Sequence, residues 1–119
     1  MREPMRDPGR LEHIMSAIEK IEEYSKDIAF EQFVTDSMRK HAITYNIQII
    51  GEAVYNLSKD FKEKHPEITW SLVEKMRHIL VHDYYQVSAT VVWTVVNEDV
   101  PVLKKAVRAI LAELSENNG

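Results

Sequence analysis

Three glycines and four prolines are all the conformational punctuation that 119 residues contain. Pro4, Pro8 and Gly9 stand at the start, Pro66 near the middle and Pro101 late, so long stretches carry no turn signal. A chain so poor in breakers runs mostly as helix, and its apolar residues agree. Leu11, Ile14, Met15, Ile18, Ile21 and Ile28 recur at helical spacing, with Glu12, Glu19, Lys20, Glu22, Glu23 and Lys26 on the remaining surface. One amphipathic helix is expected over 11–28. Residues 1–10 lack this period and read as a flexible lead-in to a single helical domain over 11–116.

A second, longer helix is expected from an Asp36 N-cap to about Phe61, and it is apolar on two sides. Ile43, Ile47, Ile50, Val54, Leu57 and Phe61 form one stripe, while Met38, Ala42, Tyr45, Ile49 and Ala53 form another. A helix with two apolar faces needs two partners, and in a small domain a second subunit is a natural source of one. Gly51 in its middle costs about 1 kcal/mol relative to alanine, which is reasonable where another backbone approaches closely.

The segment from Lys62 to Glu67 reads as a charged linker ending the helix before Pro66. A third helix is expected to start near Thr69 or Ser71, with Ser71 and Glu74 as a capping box, to carry Trp70, Val73, Met76 and Leu80 as its apolar face, and to end near His82. Val91 to Val96 has strand propensity, but a lone strand has nothing to pair with, so Ser88 is expected to cap a helix there. A last helix is expected to begin at Pro101 and bury Leu103, Val107, Ile110, Leu111 and Leu114. The whole reads as an all-α, up-and-down bundle of four or five helices.

Composition narrows the chemistry. Fifteen Lys and Arg against nineteen Asp and Glu give a net charge of −4, so any nucleic-acid affinity must come from a local patch rather than the overall field. Zero cysteines exclude disulfides, thiol catalysis and cysteine-ligated metal. No apolar run approaches the roughly 18 residues of a membrane span, and the start has no signal-peptide core, so a soluble cytoplasmic protein is expected.

Arg77 is the anomaly. It shares a helical stripe with Val73, Leu80 and Tyr84, where a permanent charge needs an anionic partner. A salt bridge to a neighbouring helix, with Glu52 as one candidate, would satisfy it. His82 follows five residues later, about 140° around an ideal helix, so the two converge only if the helix ends between them or a second subunit intervenes. His78 and His82 are spaced like a zinc pair, but no acidic residue follows the first, and no metal or other cofactor is expected. His13, His41 and His65 read as surface residues. Lys104, Lys105 and Arg108 read as a solvated basic face that could also track a phosphate backbone.

The run Arg77-His78-Ile79-Leu80-Val81-His82-Asp83-Tyr84 resembles the motif of Arg, four residues, His, one residue and Tyr that marks the HepT-like toxins of the HEPN superfamily. Ile50-Gly51-Glu52-Ala53, Pro66-Glu67-Ile68-Thr69-Trp70, and Val92-Trp93 followed by Asp99-Val100-Pro101 are similar to that family as well. His78 stands where the family usually has Asn. The resemblance implies a helical bundle that forms a homodimer, with a metal-independent ribonuclease site at the dimer interface. It implies catalytic roles for Arg77 and His82, and RNA-binding or supporting roles for His78, Asp83 and Tyr84. It further implies a minimal nucleotidyltransferase antitoxin as partner, which would transfer AMP to Tyr84.

The residue types suit that chemistry. When a 2′-hydroxyl attacks the adjacent phosphate, a proton must leave, the departing oxygen must gain one, and extra negative charge must be stabilised. Histidine titrates near neutral pH and arginine grips phosphate with two prongs. One histidine does not conveniently serve both proton transfers, whereas a two-fold dimer supplies two. Two other readings compete: a non-catalytic helical adaptor that presents substrates to a nucleotidyltransferase, and a structural dimer without enzymatic activity.

Overall fold

The computed structural model describes residues 7–81 and 88–118, and among these the chain is helical with short turns and no strand. The all-α bundle expected from the sequence is the observed architecture. Several element boundaries differ, each for a local reason.

Helix α1 (Asp7–Ser25) includes at least four residues ahead of the periodic pattern, within the stretch expected as a lead-in. The Asp7 carboxylate accepts from the Ser58 backbone N–H at 2.9 Å and the Ser58 hydroxyl at 2.6 Å, tying this end to the middle of the chain. The helix stops at Ser25 rather than 28 because Asp27 turns left-handed at φ 59°, a conformation Asp tolerates better than most residues. Helix α2 (Phe30–Thr35) had no periodic signal; it is short, and the Gln32 side chain accepts from the Ala29 N–H at its start. Its purpose is packing, since Phe33 is fully buried with its ring 5.0 Å from that of Trp93.

Asp36 caps α3 (Ser37–Tyr55) as expected, accepting from the Arg39 N–H at 3.0 Å. The helix ends at Tyr55, short of Phe61. There Asn56 Nδ2 donates to the Glu52 carbonyl at 2.9 Å, and Ser58 accepts from the Phe61 N–H to begin α4 (Lys59–Lys64). Half of the anticipated linker is therefore helix. Helix α5 (Trp70–Val81) places Ser71 inside its first turn rather than ahead of it.

Ser88 caps α6 (Ala89–Thr94), and the strand-prone run is helical. The backbone then widens into a π-turn over Val95–Asp99, in which the Val100 N–H reaches back to the Val95 carbonyl, and continues into α7 (Val100–Asn118). No break precedes Pro101. Proline has no N–H to give, and in a regular turn its ring would crowd the Asn97 carbonyl, so the wide turn accommodates it.

Helix α1 packs between α3 and α7, and α3 packs on its other side against α5, which also meets the π-turn. Leu11, Ile14, Ile18 and Ile21 face Ile43, Ile47, Ile50 and Val54 in the core, joined by Met76, Ile79, Leu103, Val107 and Ile110. The approach anticipated at Gly51 is real. A Cβ there would lie 3.0 Å from the Met76 carbonyl oxygen and 3.1 Å from Met76 Cβ, so only glycine lets α3 and α5 lie this close. The second stripe of α3 stays largely uncovered: Met38 is 84% and Tyr45 62% exposed, Ile49 is half-buried, and only Ala53 is buried.

Among the described residues, two ion pairs tie helices together. Lys104 Nζ lies 2.8 Å from Glu22 Oε2, so this lysine links α7 to α1 instead of belonging to a free basic face. Lys75 Nζ lies 3.2 Å from Oδ2 of the buried Asp99, linking α5 to the π-turn. No helix among the described residues is long and apolar enough to cross a membrane.

Candidate functional site on helix α5

Met76 is held against Gly51, and Arg77 follows it on the side of α5 that faces water. Val73, Met76 and Ile79 take the buried face, so Arg77 stands at its margin rather than within it. Among the described residues no carboxylate pairs with its guanidinium. Its partner is a ring: Arg77 Cζ sits 4.2 Å from the centroid of Tyr55, the last residue of α3. A cation over a ring at an exposed site stabilises by about 0.5–1 kcal/mol and leaves the charge available to an anion. The salt bridge weighed from the sequence is replaced by this stack. Glu52 instead lies exposed beside Arg10, His13 and Tyr45, on the α1 side of α3.

A second cation joins the first. Lys62 on α4 donates to the Tyr55 carbonyl at 2.8 Å, and its Nζ lies 5.7 Å from the Tyr55 ring and 5.6 Å from the Trp70 ring. Burial lowers the pKa of Lys62 below the ordinary ammonium range; the Asp7 carboxylate opposes this and the Arg77 charge adds to it. Two positive charges and two exposed rings thus converge where α3, α4 and α5 meet. Trp70, expected on the apolar face of its helix, is 51% exposed. An open groove of 560 Å³ runs beside it, lined by Leu57, Lys59, Lys62, Glu63 and Pro66.

His78 follows Arg77 on the exposed side of α5. The described part of the helix runs to Val81, immediately before the motif histidine. Gln48 Nε2 donates to the Ile79 carbonyl at 3.2 Å, so a side chain of α3 also bonds the backbone of α5. His82, Asp83 and Tyr84 lie outside the described residues. His65 is not a plain surface residue: its ring stacks 4.4 Å from Phe61 and pairs with Glu67 at 3.2 Å. Among the described residues no three His, Asp or Glu are grouped to hold a metal ion.

Sequence reasoning found Arg77 but missed Tyr55, Lys62, Trp70 and Gln48. Tyr55 lies four residues after Gly51, one helical turn toward the same neighbour, and that spacing was the available signal.

The sequence profile described as "Ribonuclease HepT-like" matches residues 14–110. The chain belongs to the HepT-like family. A protein of Thermococcus cleftensis named "Probable ribonuclease HepT" is 46% identical over 94 residues, covering 79% of this chain and 86% of that protein. A protein of Caldanaerobacter subterraneus subsp. tengcongensis, named as a putative RNase, is 41% identical over 101 residues, covering 85% of this chain and 90% of that one. A Methanocaldococcus jannaschii protein named as a gamma-glutamylcyclotransferase and putative RNase is 41% identical over 107 residues. This HepT-like chain spans only 48% of that protein's length. No solved structure matches it significantly. The matched span contains all of Arg77 to Tyr84 and the elements that position Arg77.

Proposed function

We propose that this chain is a metal-independent endoribonuclease and the toxin of a toxin–antitoxin pair, acting in the cytoplasm as a homodimer whose site lies at the subunit interface. The observation that carries the reading is the exposed Arg77 guanidinium, held on Tyr55 with no carboxylate partner among the described residues, five residues ahead of His82. In the proposed reaction His82 takes the proton of a 2′-hydroxyl, whose oxygen bonds to the adjacent phosphorus. The bond from phosphorus to the 5′-oxygen breaks, and His82 of the second copy protonates the departing oxygen. Arg77 holds the phosphate oxygens while negative charge builds on them. The products are a 2′,3′-cyclic phosphate and a 5′-hydroxyl. His78 and Asp83 support the RNA backbone.

Incubation of the purified protein with RNA, and with DNA of the same sequence, in excess EDTA tests the reading. RNA is cut and DNA, lacking the nucleophile, is not. Activity lost in EDTA and restored by zinc would transfer the chemistry to a metal held by His78 and His82. No cleavage of any RNA would leave the adaptor reading.

The exposed face of α3 around Met38, Tyr45 and Ile49 supports the dimer, because apolar side chains at helical spacing stand in water in the single chain. Sedimentation at micromolar concentration is expected to show a dimer that Tyr45→Glu converts to monomer with loss of cleavage. A wild-type monomer would remove the composite site.

Tyr84 is the proposed acceptor of AMP from a minimal nucleotidyltransferase antitoxin. A phosphodiester and a base placed there would repel RNA phosphate and occupy its space. The intact mass of protein co-expressed with that enzyme is expected to rise by AMP units, and Tyr84→Phe to abolish the rise and restore toxicity. Added mass on Tyr85 instead would refute the assignment.

A further inference from the structure

Lys62 and Trp70, on α4 and α5 beside the Tyr55 ring, lie outside the Arg77–Tyr84 motif, and nothing in the proposed cleavage step uses them. Trp70 and Tyr55 are each 51% exposed, an unusual position for two large rings unless something stacks on them. Lys62 is held between them by its bond to the Tyr55 carbonyl. Arg77 lies 4.2 Å from the centroid of the same Tyr55 ring, so two cations gather on one small surface of a protein whose net charge is −4. Like charges brought together in this way are relieved by an incoming anion. The groove beside Trp70 has a different character. Leu57 and Pro66 line it with apolar surface, and Glu63 on its edge disfavours phosphate.

We propose that Trp70, Lys62 and Tyr55 form a subsite for single-stranded RNA next to Arg77, in which an unpaired base stacks on Trp70 in the groove and the adjoining phosphate lies against Lys62. The inference rests on the ribonuclease reading and deepens it by naming the substrate class: a ring can stack only on a base that is not already paired and stacked in a duplex. Lys62 neutralises the phosphate one step away from the scissile one held by Arg77, so the strand is placed in register for cleavage.

The test measures affinity separately from turnover, using a fluorescently labelled, unstructured 2′-O-methyl oligonucleotide whose nucleophile is blocked. Trp70→Ala is expected to weaken binding by roughly 5- to 150-fold, the contribution of one stacked base, while Trp70→Phe stays close to wild type and a duplex of the same sequence binds weakly to all three. On the unmodified protein, the bound strand is expected to shield the exposed Trp70 emission from acrylamide. A helical Trp70→Ala protein that binds as tightly as wild type, or an absence of shielding, overturns the subsite, and points to a protein partner for this surface if the ribonuclease activity is intact. Binding through Trp70 by a protein that cleaves no RNA would support the subsite and overturn the ribonuclease reading instead.

Discussion

Arg77→Ala and His82→Ala are each expected to lower RNA cleavage by roughly 10²–10⁴-fold, the range for loss of a general acid–base or a preorganised charge contact. Arg77 is exposed, and its described contact is the stack on Tyr55. Its removal therefore forfeits about 0.5–1 kcal/mol of stability, too little to unfold the bundle, and the far-ultraviolet circular dichroism should be unchanged. Arg77→Lys is expected to restore little, because an ammonium has neither the planar fork for phosphate nor the flat face that rests on a ring. The pH dependence separates the two roles. With Arg77→Ala the residual activity keeps the pH dependence of a general acid–base, whereas with His82→Ala that dependence disappears. Full activity in both variants would refute the mechanism.

Gly51→Val is expected to destabilise the fold by about 3 kcal/mol, at the upper end of overpacking effects. A Cβ alone would meet the Met76 carbonyl oxygen at 3.0 Å, and backbone cannot rotate aside as a flexible side chain would. Valine adds two more carbons and a restricted χ1. Gly51→Ala is milder: its gain of about 1 kcal/mol in helix propensity offsets part of a clash of roughly 1–3 kcal/mol. Thermal unfolding should show the valine variant melting about 10 °C lower, at 3–5 °C per kcal/mol for a chain of this size. Any surviving activity should also fall, because forcing α5 away from α3 lifts Arg77 off Tyr55. An unchanged melting temperature would mean that the two helices do not approach this closely.

The helices with strong periodicity were legible in advance because burial imposes the period. Leu11, Ile14, Ile18 and Ile21 had to face one direction, and they are all fully buried. Caps were legible for an equally local reason: Asp36 and Ser88 each bond a backbone N–H two or three residues ahead, within reach of their own sequence. Where two local signals competed, the reading failed. Asn56 and Ser58 ended α3 early although Leu57 and Phe61 continued its apolar stripe, and both of those residues are buried from the turn and from α4 instead. Phe33 and Trp93 gave no period, so α2 became visible only through the ring contact it makes.

The sequence by itself determined an all-helical bundle, a glycine at a close helix crossing, a surplus apolar face on α3, and the Arg77-to-Tyr84 motif that marks the family. These follow from periodicity and local spacing, which a linear chain encodes within a few residues. Only the tertiary structure decided what Arg77 touches. Tyr55 and Lys62 stand 22 and 15 residues before it on two other helices, so their meeting with α5 depends on how α3, α4 and α5 cross, and no pairwise spacing in the sequence records that. The crossing itself is set by Gly51 against Met76, where the absence of one methyl group brings two backbones into contact and the Arg77 guanidinium onto a ring.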